Sequence, residues 1–242
     1  MEPRADGFVL SIDSTIKGSK IHGAKIDKFT GNFQLNEDKK TFMKVEIPKV
    51  STEDDIPVEV KDIDTTVSDN DAFLHFAHTL MESEELDVKI AGKTKIHIGK
   101  LGAKVDYNEV ITMKGLNKLK GMAVVGFTPV DGEYNLEADI LIPNPTVVSL
   151  QLGDVNIDLF NDGKVFGNGT LPDLLLTPGD NKYKFRGNVN LGVMLQMIAA
   201  AGGKEAFFQV KGTSVKYDGQ DIPWLAEPLG GSFVDVKLGG KH

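Results

Sequence analysis

His75 and His78 stand three residues apart, with Glu82 one helical turn beyond His78. On a helix these side chains share an edge and could make a loose divalent-cation site. The His-Glu-x-x-His pattern of helix-borne zinc is missing, and a solvated helix edge carries the same residues. The acidic runs Glu53-Asp54-Asp55 and Asp69-Asn70-Asp71 raise calcium. Neither has the alternating oxygen ligands, central Gly and closing Glu of a calcium loop. The second run reads better as a helix start, with acids near the positive helix end. There is no Gly-x-Ser-x-Gly elbow for a Ser/His/Asp hydrolase, and there is no cysteine for thiol catalysis or Cys-based zinc. Gly202-Gly203 and Gly230-Gly231 lack the strand-to-helix order that cradles phosphate. The residues therefore designate no catalytic group, metal or cofactor, and the chain reads as a binding or scaffolding protein rather than an enzyme.

Apolar groups are more informative. In a half-exposed strand one of Leu174, Leu175 and Leu176 must face water, so three in a row imply cover on both faces. Met194, Met197 and Ile198 fall on a helical stretch and add pliable apolar surface. With Trp224 these residues compose a candidate lipid-lined groove, against the plainer reading of core and domain interface. Asn168-Gly169-Thr170 is an N-glycosylation acceptor if the chain enters the secretory route.

Composition narrows the partners. Apolar residues make up 40% of the 242-residue chain, as in a water-soluble globular protein. The net charge of −8, with no basic run above its acidic surroundings, excludes nucleic acid and disfavours non-specific attraction to anionic membranes. No apolar run reaches the length of a membrane span, and Met1-Glu2-Pro3-Arg4 is no signal peptide. A lipid or protein partner remains.

The elements that must position these groups occur twice. Gly31–Pro48 aligns without gaps on Val155–Pro172, with Asn32/Asn156, Leu35/Leu159, Asp38/Asp162, Lys40/Lys164, Phe42/Phe166 and Pro48/Pro172 identical. Period-two strands precede both copies: Phe8, Leu10 and Ile12 in one, Leu136, Ala138, Ile140 and Ile142 in the other. One helix follows in each, the first capped by Ser68 or Asp69, the second by Asn190 with Gly202 as its stop. Strands from Leu86 to Ile98 and from Phe207 to Tyr217 come next. Asn161-Asp162-Gly163-Lys164 predicts a tight hairpin, since Asp-Gly accepts positive φ. The expectation is a mainly β protein of two tandem immunoglobulin- or fibronectin-like β-sandwiches, residues 1–120 and 121–242, each with one α-helix between strands. The second copy has a leading strand, Gly121 to Thr128, whose counterpart in the first would lie before Met1. The closing Gly239-Gly240-Lys241-His242 could be vector-derived.

The stretch Ala138 to Thr146 with Asn144-Pro145, then Leu150 to Leu159, Asn161-Asp162-Gly163 and Gly167-Asn168-Gly169-Thr170, resembles the type-2 late embryogenesis abundant domain. That domain is also called the water-stress and hypersensitive-response domain. The whole chain resembles a fungal family of unknown function, loosely labelled "pre-rRNA processing", with tandem type-2 domains behind an N-terminal membrane anchor. The first copy departs at the hallmark, with Ile16-Lys17-Gly18-Ser19 in place of Asn-Pro. The resemblance implies the sandwich fold. Through an upstream anchor it also implies a vacuolar, lumenal or extracellular location, and its domains are associated with lipid binding. A cytoplasmic, desiccation-protective role is the alternative it leaves.

Overall fold

The computed structural model describes residues 2–4, 7–16, 24–51 and 56–239. Among them the protein is mainly β, and it divides into two compact units that interleave in sequence. The first comprises Met1–Glu2, Asp6–Phe76 and Leu86–Met113; the second comprises Pro3–Ala5, Ala77–Glu85 and Lys114–His242.

From the N-terminus to the end of the first unit the elements are β1 (Glu2–Arg4), β2 (Gly7–Ile16), β3 (Ala24–Ile26), β4 (Phe29–Leu35), β5 (Thr41–Ile47), β6 (Val50–Ser51), β7 (Ile56–Val67), α1 (Asn70–Glu82), β8 (Glu85–Ile98) and β9 (Leu101–Lys114). The first unit is a sheet in which β7 lies between β2 and β5, β5 pairs β4, and β4 pairs β8. β9 takes the other side of β8, and the short β3–β6 pair extends the sheet beside the far end of β8. Alternation along β5 buries Met43 and Val45, and Phe42, at an irregularity in the β4–β5 register, is buried as well. Phe42 then stacks on Phe76 of α1 at 4.3 Å between ring centres and meets Phe73 at 6.4 Å. Asp69 caps this helix, its Oδ1 accepting the Ala72 N–H at 3.0 Å.

The second unit carries β10 (Ala123–Pro129), β11 (Leu136–Asn144), β12 (Leu150–Asn161), β13 (Lys164–Leu176), β14 (Gly179–Val189), α2 (Leu191–Ala200), β15 (Ala206–Tyr217), β16 (Gln220–Asp221), α3 (Pro223–Gly231) and β17 (Val234–Leu238). Its hydrogen-bonded order is β12-β13-β14-β11-β10-β17-β15, and β15 also pairs β12. The order therefore closes on itself as a seven-strand barrel, with β10–β17 parallel. The expectation of two tandem sandwiches is not confirmed: in the second unit one continuous ring surrounds the core and leaves these seven strands no free edge. Asp162 (φ +48°) and Gly163 (φ +73°) form the expected tight turn between β12 and β13. Asn190 caps α2, accepting the Val193 N–H at 3.2 Å, and Gly202 (φ +57°) follows its end.

Among the described residues, where one helix per copy was expected, the first copy shows one α-helix, α1, and the second shows α2 and also α3. Its Pro-Trp-Leu-Ala-Glu-Pro-Leu-Gly-Gly sequence hides a helix behind breakers. Pro223 is acceptable at the first turn, where its missing N–H goes unused. Gly212 of β15 admits the helix: a Cβ there would lie 2.8 Å from Leu229 Cβ.

Candidate functional site

The interior of the barrel is lined only by apolar side chains. Leu136 and Ile140 of β11, Phe166 of β13, Phe208 of β15 and Val236 of β17 surround a cavity of about 20 Å³. That is room for little more than one water, and no polar atom there could hold it. α2 reaches this space through Met194. The helix has no charged residue, and Met194 is its one buried side chain, while Leu195 stays 57% exposed. With Leu191, Val193 and Met197 only half-buried, this apolar helix packs less deeply than a core helix.

Of the seven residues expected to make a groove, only Met194 lines this cavity. Met197 and Ile198 lie elsewhere on α2, with Ile198 exposed. Leu174 and Leu176 point into the core, and Leu175 between them is 37% exposed. The reading that both faces of this strand are covered is thereby corrected: ordinary alternation places the middle leucine outward. Its backbone is gripped by Tyr183, whose hydroxyl accepts the Leu175 N–H and donates to its carbonyl. Trp224 is on α3, where its Nε1–H donates to the Arg4 carbonyl at 2.7 Å. Asn168 is exposed on β13, and its sequon partner Thr170 donates to Asn156 Oδ1 at 2.6 Å.

The Asn-Pro hallmark has a structural task. Asn144 is wholly buried, donating to the carbonyls of Val148 (2.9 Å) and Leu176 (3.1 Å). Its Oδ1 accepts the N–H and hydroxyl of Thr146 at 3.0 and 2.7 Å. Asn181 does the same for the Thr177–Gly179 turn and reaches the Ile142 carbonyl. These two buried side chains tie the largely exposed 145–149 and 177–180 turns to the strand ends and leave their own polar atoms satisfied. Gly167-Asn168-Gly169 is likewise structural: the Phe185 ring lies over Gly169 and Gly187, where any Cβ would overlap it.

The histidines do not converge. His75 Nδ1 lies 3.4 Å from Asp38, and His78 Nε2 lies 3.8 Å from Glu227. Among the described residues no three His, Asp or Glu side chains gather as a metal site. Asp69 is the cap of α1, and Glu53–Asp55 lie outside the described residues.

A feature the sequence hid lies in the first unit. An open basin of about 550 Å³ is lined by Lys28, Lys93, Lys95 and Lys104, with Asp27, Thr94, Val105 and Asp106. The lysines come from three stretches that only the β8–β9 pairing and the β3–β4 loop bring together, so no basic run announced them. Asp27 is engaged: its carboxylate takes the His97 Nε2 at 3.0 Å and faces Lys49 at 3.8 Å. The His97 hydrogen bond, more than the neighbouring lysines, holds its carboxyl below the usual range. The hairpin is anchored from beneath, where Phe29 packs on Tyr107 of β9 at 5.1 Å and lies across Gly92.

Comparison with known proteins bears on this arrangement. Residues 40–159, just under half of the chain, match the family model described as "Protein of unknown function (DUF3712)". Over that stretch the chain is similar to that family. The DUF3712 stretch runs from β5 to β12, so it takes in strands of both units rather than one repeat. An uncharacterized protein of the archaeon Methanocaldococcus jannaschii, MJ0943, is 23% identical over 95 residues. That alignment covers 38% of this chain and spans 23% of the archaeal protein's length. Among solved structures the YadV chaperone aligns over 94% of this chain and 90% of its own, at 11% identity and a TM-score of 0.23. A superposition that loose carries no argument about fold or role.

Proposed function

We propose that this chain is the non-enzymatic binding portion of a membrane-anchored protein, of type-2 late embryogenesis abundant, sandwich-like ancestry, working on the lumenal or extracellular side. In this reading the second unit holds the acyl chain of a lipid. The observation that carries it is α2: an uncharged helix whose one fully buried side chain, Met194, plugs an interior lined only by apolar side chains. With α2 in place the cavity is far too small for an acyl chain. Swinging Met194 outward would open the interior, and each methylene taken from water contributes about 0.8 kcal/mol. The exposed Leu195 and Ile198 on the same helix would then find cover against the ligand or the membrane it came from.

The test is native mass spectrometry after detergent-free purification, with uptake of a fluorescent fatty acid measured in parallel. Retained lipid, or saturable uptake abolished by filling the cavity through Ala138→Leu, supports the reading. A bare protein mass together with no uptake sinks it. Because Ala138→Leu overfills a packed interior, its thermal stability is recorded beside the uptake.

A further inference from the structure

We propose that the tip of the β8–β9 hairpin, with its lysine collar, docks the first unit on an anionic phospholipid surface. Gly99, at φ +59°, opens the two-residue turn that joins the strands. The apolar side chains flanking it point into solvent: Ile98 is 51% exposed and Leu101 80%. Lys95, Lys100 and Lys104 surround this tip in sequence, and Lys28 and Lys93 complete the collar across the basin. None of the five makes an ion pair among the described residues, and all five are exposed. The two carboxylates of the basin do not cancel them. Asp27 is spent on His97 and Lys49, which leaves Asp106 against the collar.

An exposed apolar turn at the end of a hairpin whose basin face carries lysines is complementary to a bilayer interface. Leu101 and Ile98 would enter the headgroup–acyl boundary, while the lysine stems lie along it and their ammonium groups reach phosphates. Nucleic acid fits less well. It would cover the charges and leave the apolar tip in water, and the nearby aromatic ring, Tyr107, is engaged by Phe29 instead of offered for stacking. The net charge of −8, which disfavours non-specific attraction to anionic membranes, opposes docking through this local patch only weakly, since charges beyond roughly 8 Å are screened at physiological salt. The surface uses first-unit residues only. Loss of acyl-chain uptake by the barrel therefore leaves it standing, and its own failure leaves uptake untouched.

The experiment is co-sedimentation of the full chain with vesicles of phosphatidylcholine alone or with phosphatidylserine added. Binding is expected only with the anionic lipid and should fall as salt is raised. Lys95→Glu with Lys104→Glu should weaken it about tenfold or more, whereas Lys182→Glu on β14 should not. Leu101→Ser, at an exposed turn that unfolding does not threaten, should weaken binding without altering its salt dependence. Leu101→Trp should show quenching by bromine-labelled acyl chains. Equal binding to both vesicle types overturns the proposal. Indifference to Leu101→Ser, or competition by inorganic phosphate or short RNA as effective as by vesicles, also overturns it and leaves a general anion patch.

Discussion

The two units share a strand plan and end it differently. Pairings β4–β5, β5–β7, β7–β2, β4–β8 and β8–β9 in the first mirror β12–β13, β13–β14, β14–β11, β12–β15 and β15–β17 in the second. The equivalent asparagines even make equivalent reaches. Asn32 donates to the Ala91 carbonyl on β8, and Asn156 donates to the Ser214 hydroxyl on β15. What differs is β10, which bridges β11 and β17 and closes the second unit. Among the described residues no strand joins β2 to β9, so the first unit ends on β9, fourteen residues long and exposed along most of both faces. One strand separates a sealed apolar container from an open sheet that presents a charged, apolar-tipped hairpin. An exposed edge of this length is ordinarily a liability, and here lysines along β8 and β9 guard it.

The comparison breaks first at Gly169. A Cβ there would overlap the Arg186 carbonyl oxygen and the Phe185 ring, and a closed ring cannot splay to relieve it. Gly169→Ala should cost about 4 kcal/mol, read as a shift in the urea midpoint followed by Trp224, which reports the second unit. Little change in that midpoint would mean that the barrel flexes as freely as an open sheet. Next comes Asn144→Ala, which removes the side-chain donor to the Val148 and Leu176 carbonyls and the acceptor of the Thr146 N–H, while the Thr146 hydroxyl keeps Val148. It should remove about 3 kcal/mol by the same measurement. Asn144→Asp, which sets a carboxylate oxygen against those two carbonyls in a buried site, should cost at least as much.

Much of this was legible in the residues, and the failures are instructive. The repeat, the Asp-Gly hairpin and both helix caps follow from local chemistry that the chain carries within a few residues. Barrel closure does not, because the β12–β15 and β10–β17 pairings join strands more than fifty residues apart or in parallel. α3 was masked by Pro228 and two terminal glycines, breakers that a short helix packed on β15 tolerates. Leu175 misled because a leucine triplet looks like two-sided burial, while single exposed leucines are common on folded surfaces. Of the expected groove only Met194 reaches the cavity, since helical spacing fixes a face but not what that face meets. The lysine basin was invisible for the opposite reason: its charges are dispersed in sequence and gathered by register.

Gly92→Ala sharpens the comparison from the open side. Its Cβ would stand 2.6 Å from the Phe29 ring and 2.8 Å from the Thr30 carbonyl, a collision like that at Gly169. A sheet with a free edge can shift, so the cost should be about 2 kcal/mol, roughly half of that in the barrel. The reporter is the Tyr107 ring resonance, which senses Phe29 directly. A cost equal to that of Gly169→Ala would show that closure adds no rigidity.

The smallest effect belongs to Asp27, where the open unit carries the charge the barrel lacks. Its carboxyl titrates below the ordinary 3.8 in the folded protein, chiefly through the His97 hydrogen bond. A depressed folded value means that the charged form is favoured by folding. The stabilisation is therefore present above the unfolded value and is lost as pH falls through the folded one. Asp27 is solvent-exposed, so water and salt screen much of this. Asp27→Asn should lower stability slightly near neutrality, and that difference should vanish in acid below the carboxylate range. The direct check is a carbon-detected NMR titration: the Asp27 midpoint should lie below 3.8 and rise toward it in His97→Ala. A midpoint at or above 3.8 in the unaltered chain would mean that the carboxylate is not held by His97. Nor would the neighbouring lysines then be holding it, and the charge balance drawn for the basin would have to be redrawn.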